Sequence, residues 1–314
     1  MLKVGLIGVG GISVAHIPCW EKFEDTELVA LCDVRLEQMK NYSDKRCYTD
    51  FDTMLENETL DILDICLPTY LHPEYAIKAM KKGINVVCEK PISLKREDVK
   101  KIYAVAEKNN VKFMVAQVLR FWDEYEFVKE LIDNKKYGKL LSGSMQRLNI
   151  FPDWSFEDWM ADEEKSGFVP FDLHIHDLDF LVYALGKPTE IKSFRSKGQK
   201  QDVIEVLYNF GGAYINCEAT WYKGKIPFNA NFRFQFEEAA VIYYAGKLTV
   251  YDQNGKIETD DRKQQKNEDT IGIPKSNGYA NELRYFTDCV KNDTFPDKVK
   301  PEELEEVISI LHSL

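Results

Sequence analysis

The sequence predicts two architectures in one chain. Residues 1–120 read as a doubly wound parallel α/β sheet, and residues 121–314 as an α+β part with a largely antiparallel open sheet carrying helices on one face. Three observations carry this. Short apolar runs alternate with helical spacing through the first part, which is the pattern of parallel strands joined by crossover helices. One such run, Ile84-Asn85-Val86-Val87-Cys88, ends abruptly in the ionisable tripeptide Glu89-Lys90-Pro91. Beyond Gly186-Lys187-Pro188 the character changes to alternating β-branched and aromatic residues separated by glycine turns.

Composition sets the outer limits. At 314 residues the chain exceeds what one hydrophobic core usually serves, so two domains are expected. A net charge of -11 leaves no basic stripe to neutralise phosphates, which argues against nucleic acid or an anionic membrane as partner. The seven cysteines are odd in number and lack C-x-x-C spacing; Cys32, Cys66 and Cys88 each end an apolar run and are expected to be buried and reduced, as in a cytoplasmic protein. Met1-Leu2-Lys3-Val4-Gly5 runs straight into a strand, so no signal peptide is expected, and no apolar stretch approaches spanning length.

The first strand, Lys3 to Gly8, leads into Gly8-Val9-Gly10-Gly11-Ile12-Ser13. This is the G-x-G-x-x-small fingerprint of a Rossmann sheet. Gly8 permits the tight turn, Gly10 lets the backbone approach a pyrophosphate, and the next helix aims its N–H groups at the anion; Gly11 and Ile12 complete the loop. The second strand, Glu27 to Cys32, ends in Asp33, spaced to accept hydrogen bonds from an adenosine ribose. Capping a helix that starts near Arg35 is the structural alternative for Asp33. A carboxylate here repels a 2′-phosphate and favours NAD, whereas Arg35, able to stack on adenine or meet a phosphate, keeps NADP open.

The third strand, Leu60 to Leu67, turns at Pro68-Thr69, and His72 opens a helix through Lys82. Pro68 and Thr69 are expected on the cofactor side, with His72 in a structural or binding role. Ligands of open α/β sheets bind beyond the strand C-termini, so Glu89 and Lys90 are placed at a crevice, with Pro91 ending the strand. A lysine there suits proton transfer. A surface Glu-Lys pair is the plain alternative. A helix from about Lys95 to Asn109 and a strand from Lys112 to Ala116 follow, and Gln117, just beyond, is counted with the cofactor contacts.

The order G-x-G-x-x-small, strand-end Asp, P-T-x-x-H and E-K-P resembles the glucose–fructose oxidoreductase / inositol dehydrogenase (Gfo/Idh/MocA) family. The resemblance implies that Lys90 lies between nicotinamide and substrate and that Glu89 touches the nicotinamide side. Gln117-Val118-Leu119-Arg120-Phe121 resembles the family's junction, with Arg120 either beneath the site or at a domain interface.

Asp123 to Asn134 reads as an amphipathic helix. A second one runs through Asp172-Leu173-His174-Ile175-His176-Asp177-Leu178-Asp179 to the stop at Gly186. Helical spacing puts Asp172, His176, Asp179 and Tyr183 on one polar face, with Leu178, Leu181, Val182 and Leu185 opposite. As a strand, the stretch would place His174 and His176 on one face, able to bind zinc with a carboxylate; as a helix they diverge by about 200°. No metal is expected. The family's D-x-G-x-H-x-x-D motif is similar here, after the Ser166-Gly167 turn, with His174 in place of its glycine. The resemblance implies that His176 is the general base and that Asp172 orients a substrate hydroxyl or the lysine. The structural alternatives are an N-capping Asp172 and a hydrogen-bonded helix histidine. His174 either reshapes the pocket or fills a packing hole. Met160, after Trp159, stands where the family often has an arginine, so that cofactor contact is in doubt.

Strands are expected near Glu190–Ser196, Val203–Phe210, Ala213–Trp221, Asn229–Phe236 and Ala239–Tyr244, in a sheet of about six. Tyr208, Tyr214, Tyr222, Phe232, Phe234 and Phe236 either meet a second subunit, giving a homodimer or homotetramer, or fill the core. Asp260 to Asn277 reads as a polar loop, and helices near Gly278–Lys291 and Lys300–Leu314 follow.

The function this implies is an NAD(P)-dependent oxidoreductase acting on a secondary alcohol or ketone of a sugar, inositol or related polyol. The glycine loop and Asp33 hold the cofactor, His176 takes the hydroxyl proton, Lys90 stabilises the alkoxide, and Asp172 orients them. Lys90 and His176 can exchange roles. The alternatives are redox-neutral NAD-dependent glycoside hydrolysis on the same residues, and a non-catalytic NAD- or sugar-sensing regulator, which needs neither Lys90 nor His176.

Overall fold

The computed structural model describes residues 1–258 and 277–314. The loop expected over Asp260 to Asn277 lies outside the described residues, save its last residue. The chain forms two compact units, Met1–Val118 with Asn277–Glu305, and Leu119–Ser276 with Glu306–Leu314.

In the first unit the strands β1 (Leu2–Ile7), β2 (Thr26–Cys32), β3 (Arg46–Tyr48), β4 (Ile62–Ile65), β5 (Asn85–Glu89) and β6 (Phe113–Ala116) make one sheet in the order β3-β2-β1-β4-β5-β6. Every pairing is parallel. The helices are α1 (Ser13–Lys22), α2 (Phe51–Asn57), α3 (His72–Met80) and α4 (Arg96–Lys108). Parallel strands covered on both faces need continuous apolar runs, and β4, β5 and β6 are buried along nearly their whole length. Strand order reverses between β1 and β4, so the crevice beyond their C-termini is the expected ligand position. Cys32, Cys66 and Cys88 are buried and unpaired, as the sequence implied.

The first unit also takes in Asn277–Glu305, a stretch the sequence reading kept with the rest of 121–314. Of the last two helices, α8 (Gly278–Lys291) packs on α1 and β5, while α9 (Pro301–Leu311) crosses the boundary between the two stretches. Arg284 and Lys291 of α8 both donate to the Asp25 carboxylate, and these bonds hold its pKa far below the usual range.

The second unit holds α5 (Asp123–Asn134), the short α6 (Glu163–Ser166) and α7 (Ile175–Leu185). Its strands are β7 (Leu140–Ile150), β8 (Glu190–Gly198), β9 (Gln201–Phe210), β10 (Ala213–Tyr222), β11 (Asn229–Phe236), β12 (Ala239–Tyr244), β13 (Lys247–Asp252) and β14 (Gly255–Glu258). They form one sheet of eight rather than about six, in the order β14-β13-β12-β11-β7-β10-β9-β8. All pairings are antiparallel except β7 with β10. The sequence reading passed over β7, which lies at the centre. Its inward positions are Gly143, Met145 and Arg147, so the usual alternation of large apolar residues is missing.

One face of this sheet is core. Tyr208, Phe232, Phe234 and Phe236 are buried, and Tyr125 and Phe180 from α5 and α7 meet Phe232 and Phe234 through ring contacts. Four of the six aromatics that offered a subunit surface are therefore intramolecular. Tyr214 is exposed on the opposite face, and Tyr222, on the same side of β10, is half-buried.

Gly8 is the tightest point of the first unit. Its φ is +91°, and an added Cβ would lie 2.5 Å from the Cys66 carbonyl oxygen. Neither the dihedral nor the backbone neighbour can yield cheaply. Gly8→Ala is expected to cost at least about 2 kcal/mol in urea unfolding, against little change for an exposed glycine replaced elsewhere.

Candidate active site

In the first unit the glycine turn follows from this backbone approach. β1 and β4 run side by side, Gly8 N donates to Cys32 O, and the chain then bends over Cys66. Gly10, Gly11 and Ile12 form a half-buried rim. An added Cβ at Gly10 would meet only the Arg35 guanidinium, at 3.9 Å, so the space in front of it is open. Ser13, buried, donates to Gly10 O at 2.7 Å and fills the place of the third small residue. No side chain caps the start of α1, whose first N–H groups face the turn. An open backbone seat at an uncapped helix start suits a pyrophosphate.

Asp33 closes the other end. Its carboxylate accepts from Val9 N at 2.9 Å and Arg35 N at 2.9 Å, and it meets the Arg35 guanidinium at 3.1 and 3.2 Å. It therefore braces the glycine turn. It does not cap a helix, because the turn at Leu36–Met39 starts from Arg35 with no side-chain cap. Arg35 is held on Asp33 and reaches toward Gly10.

Thr69 is buried and Pro68 half-buried at the end of β4. His72 is sealed; its Nδ1 lies 2.7 Å from Pro91 O and its Nε2 2.7 Å from Leu67 O. Burial pushes its pKa below the ordinary value, although the two carbonyls favour a protonated ring. With both nitrogens engaged, His72 clamps the β4 loop to the β5 loop. Gln117 is buried just after β6.

The end of β5 rests on a network that the sequence reading missed. Glu89 is buried; its Oε2 accepts from Lys90 N at 3.0 Å, and its Oε1 lies 3.1 Å from His16 Nε2. The other ring nitrogen of His16 lies 2.8 Å from Asp64 Oδ2, which also accepts from Trp20 Nε1 at 2.7 Å. The Cys66 thiol, pushed up to about 12 by burial and the Asp64 charge, donates to the remaining oxygen of Asp64 at 3.6 Å. Burial alone would lower the pKa of His16, but Asp64 and its other partners hold it well above the ordinary value. His16 is thus an imidazolium between two carboxylates. The signal was an unexplained polar residue, Asp64, inside an apolar strand.

In the second unit Asp172 and His176 are half-buried while Phe171, Leu173, His174, Ile175 and Asp177 around them are buried. The chain enters α7 through a wide π turn at Pro170–His174, a local irregularity common where side chains are aimed for function. Asp172 accepts from Trp221 Nε1 at 3.2 Å. The helix, not a strand, is what forms. His174 accordingly points away into the core, stacked on Tyr208 with its Nε2 2.7 Å from the phenol oxygen. Burial and the Arg147 charge push its pKa down to about 3, so it fills a packing hole as a neutral ring. Met160 is likewise buried.

Asp179 and Tyr183, on the expected polar face, are taken by Arg120. The guanidinium makes paired bonds to Asp179 at 2.8 and 2.7 Å and lies 4.7 Å from the Tyr183 ring centre. Arg147 binds Asp177 at 2.7 Å and Tyr125 at 3.2 Å. These buried pairs fix α7, and neither was legible as a pair in the sequence.

Fold and site together define a dinucleotide-binding α/β domain joined to a second, sheet-based domain. Residues 2–117 match the family described as the GFO_IDH_MocA oxidoreductase family, NAD-binding Rossmann fold, and residues 125–242 match the GFO/IDH/MocA C-terminal domain. The chain belongs to this family, and its first domain is an NAD-binding Rossmann domain. Among curated relatives, the chain is 30% identical over 188 residues to the 2,7-anhydro-N-acetylneuraminate hydratase of Mediterraneibacter gnavus, covering 59% of this chain and 50% of that protein. It is 28% identical over 213 residues to the D-apiose dehydrogenase of Paraburkholderia graminis, covering 65% and 56%. The chain thus spans about half the length of these relatives. Among solved structures, levoglucosan dehydrogenase in complex with NADH and levoglucosan superposes with a TM-score of 0.83 at 19% identity, over 99% of this chain and 95% of that one. Among the described residues, no helix is long and apolar enough to cross a membrane.

Two outcomes test this account of the site. Because the folded His16 pKa is raised, its contribution to stability is complete below about pH 6.5 and is lost as pH rises toward the folded value. Over that window stability should fall by ~1.4 kcal/mol per pH unit from this group, and His16→Gln should remove that slope from urea unfolding measured at successive pH values. Arg120→Ala leaves Asp179 buried without its cation and is expected to cost about 3–5 kcal/mol, whereas Arg120→Met with Asp179→Leu should recover much of the loss.

Proposed function

We propose that this protein is an NAD-dependent dehydrogenase that moves a hydride between nicotinamide and a secondary alcohol or ketone of a sugar, inositol or related polyol. The observation that carries the reading is the open seat at Gly10 above the uncapped α1, closed by Asp33, inside a domain of NAD-binding type. Bound NAD supplies the hydride acceptor.

The chain's own groups do the rest. Gly8, Gly10, Gly11 and Ile12 shape the pyrophosphate seat, and Asp33 accepts from the adenosine ribose. Pro68, Thr69, Glu89 and Gln117 border the cofactor, and His72 holds the two loops that carry Pro68 and Pro91. His176 takes the substrate hydroxyl proton, Lys90 offsets the developing alkoxide charge, and Asp172 orients the reacting groups. The half-buried state of Lys90, Asp172 and His176 amid buried neighbours supports these roles. The D-apiose dehydrogenase relative supports a sugar-like substrate, and the hydratase relative gives no support to glycoside hydrolysis. Reduced cysteines suit a cytoplasmic setting. We place a homodimer or homotetramer contact on the outer face of the second sheet, where Leu207, Tyr214 and Tyr251 are exposed on one side.

Absorbance at 340 nm, followed with NAD and NADP against inositols, aldoses and small polyols, tests the activity. Reduced cofactor should accumulate with the wild type, and Lys90→Ala should lower kcat by about 100-fold or more. Absence of reduction with every substrate, despite tight NAD binding, would refute the dehydrogenase reading. Asp33→Asn removes the charge that repels a 2′-phosphate and loosens Arg35. The NADP-to-NAD preference should then rise at least about tenfold, read as the ratio of dissociation constants.

A further inference from the structure

The network under Glu89 carries a charge that the proposed chemistry does not use. His16 bears one positive charge, and both its ring nitrogens are occupied by carboxylate oxygens, Asp64 Oδ2 at 2.8 Å and Glu89 Oε1 at 3.1 Å. A ring protonated at both nitrogens donates to both acids, which then meet it as acceptors. One oxygen of Asp64 accepts from His16 and Trp20 while the other faces the Cys66 thiol, and each oxygen of Glu89 faces an N–H donor. Two negative charges against one positive leave a surplus of one negative charge. His16 and Asp64 are fully buried, and Glu89 nearly so, so water screens that surplus poorly.

The surplus has a direction. Trp20 and His16 stand on α1, Asp64 on β4, and Glu89 at the C-terminal end of β5. In a doubly wound sheet the dinucleotide crosses the strand C-termini, with adenosine on the β2 side of the switch point and the other nucleotide on the β4–β5 side. The chain ends at the one group of the three that borders this second half. The nicotinamide ring is a cation when oxidised and neutral when reduced.

We propose that Asp64, His16 and Glu89 form a charge-setting network whose net negative charge, presented through Glu89, favours oxidised over reduced nicotinamide. Asp64 and His16 act as positioning residues through Glu89. His16 prevents a bare pair of buried carboxylates, keeps Glu89 ionised and fixes its rotamer, and Asp64 with Trp20 holds His16 in place. The consequence is a lowered potential for the bound cofactor. This deepens the dehydrogenase reading and rests on it.

The test is calorimetric titration of NAD+, NADH and ADP-ribose, which lacks the nicotinamide, into the full chain. Asp64→Asn removes one charge and keeps an acceptor for His16 and Trp20. It should weaken NAD+ relative to NADH about fivefold, a rise of about 20 mV in the bound two-electron couple, with ADP-ribose unchanged within about twofold. Glu89→Gln, which keeps an oxygen acceptor for His16 or for Lys90 N, should shift the ratio in the same direction by at least as much. Trp20→Phe alters packing without altering charge and should leave the ratio unchanged. An unaltered NAD+ to NADH ratio in both charge variants overturns the proposal. So does an equal loss of all three ligands, which is what a merely structural network would give. Failure of the wild type to bind any of the three overturns the cofactor reading, and the proposal with it.

Discussion

The bonding of one imidazolium to two carboxylates, His16 between Asp64 and Glu89, is the constraint on which the cofactor half depends. It ties α1, which begins at the glycine turn, to β4 and to the end of β5. None of the three groups tolerates burial alone. An unpaired charge in such a place costs several kcal/mol, so each holds the others in position. The consequence reaches the surface. Where Glu89 is fixed, Lys90 N is fixed by its bond to Glu89 Oε2, and the loop through Pro91 is clamped by His72.

A similar economy operates in the second unit. Buried arginines fix α7 from two sides, Arg120 on Asp179 and Tyr183, and Arg147 on Asp177. The half-buried Asp172, in the turn that enters α7, and His176, in the first turn of α7, are thereby held in place. In the proposed chemistry His176 takes the proton and Asp172 orients the reacting groups. Charged pairs inside each unit thus serve to aim side chains rather than to add stability, since a buried pair seldom exceeds what apolar residues would provide.

Much of this was legible in the sequence, and what was not has physical reasons. The parallel sheet was readable because buried parallel strands are nearly uniform in hydrophobicity and turn at glycines. The fingerprint at Gly8–Ser13, the acid at Asp33 and the helix through Asp172–Leu185 all depend on local spacing, which one sequence shows. β7 was not readable, because its inward Gly143 and Arg147 take the space and the charge that neighbouring Phe234 and Asp177 supply. The His16 network was not readable either. It joins residues 48 and 73 positions apart, and spacing of that kind becomes meaningful only when strands are set side by side. His174 shows the converse: its place in the motif suggested the pocket, and the helical phase turned it to Tyr208.

The account stands on the glycine turn as a dinucleotide seat, and Gly10 offers the most direct measurement. An added methyl meets nothing closer than 3.9 Å in the protein itself, yet it would occupy the space a pyrophosphate needs. Calorimetric titration of NAD into the wild type and Gly10→Ala, with unfolding midpoints measured alongside, separates the two roles. The account predicts wild-type binding, an unchanged midpoint and affinity at least about tenfold weaker in the variant. Equal affinity in both proteins, or no binding by the wild type, would contradict it.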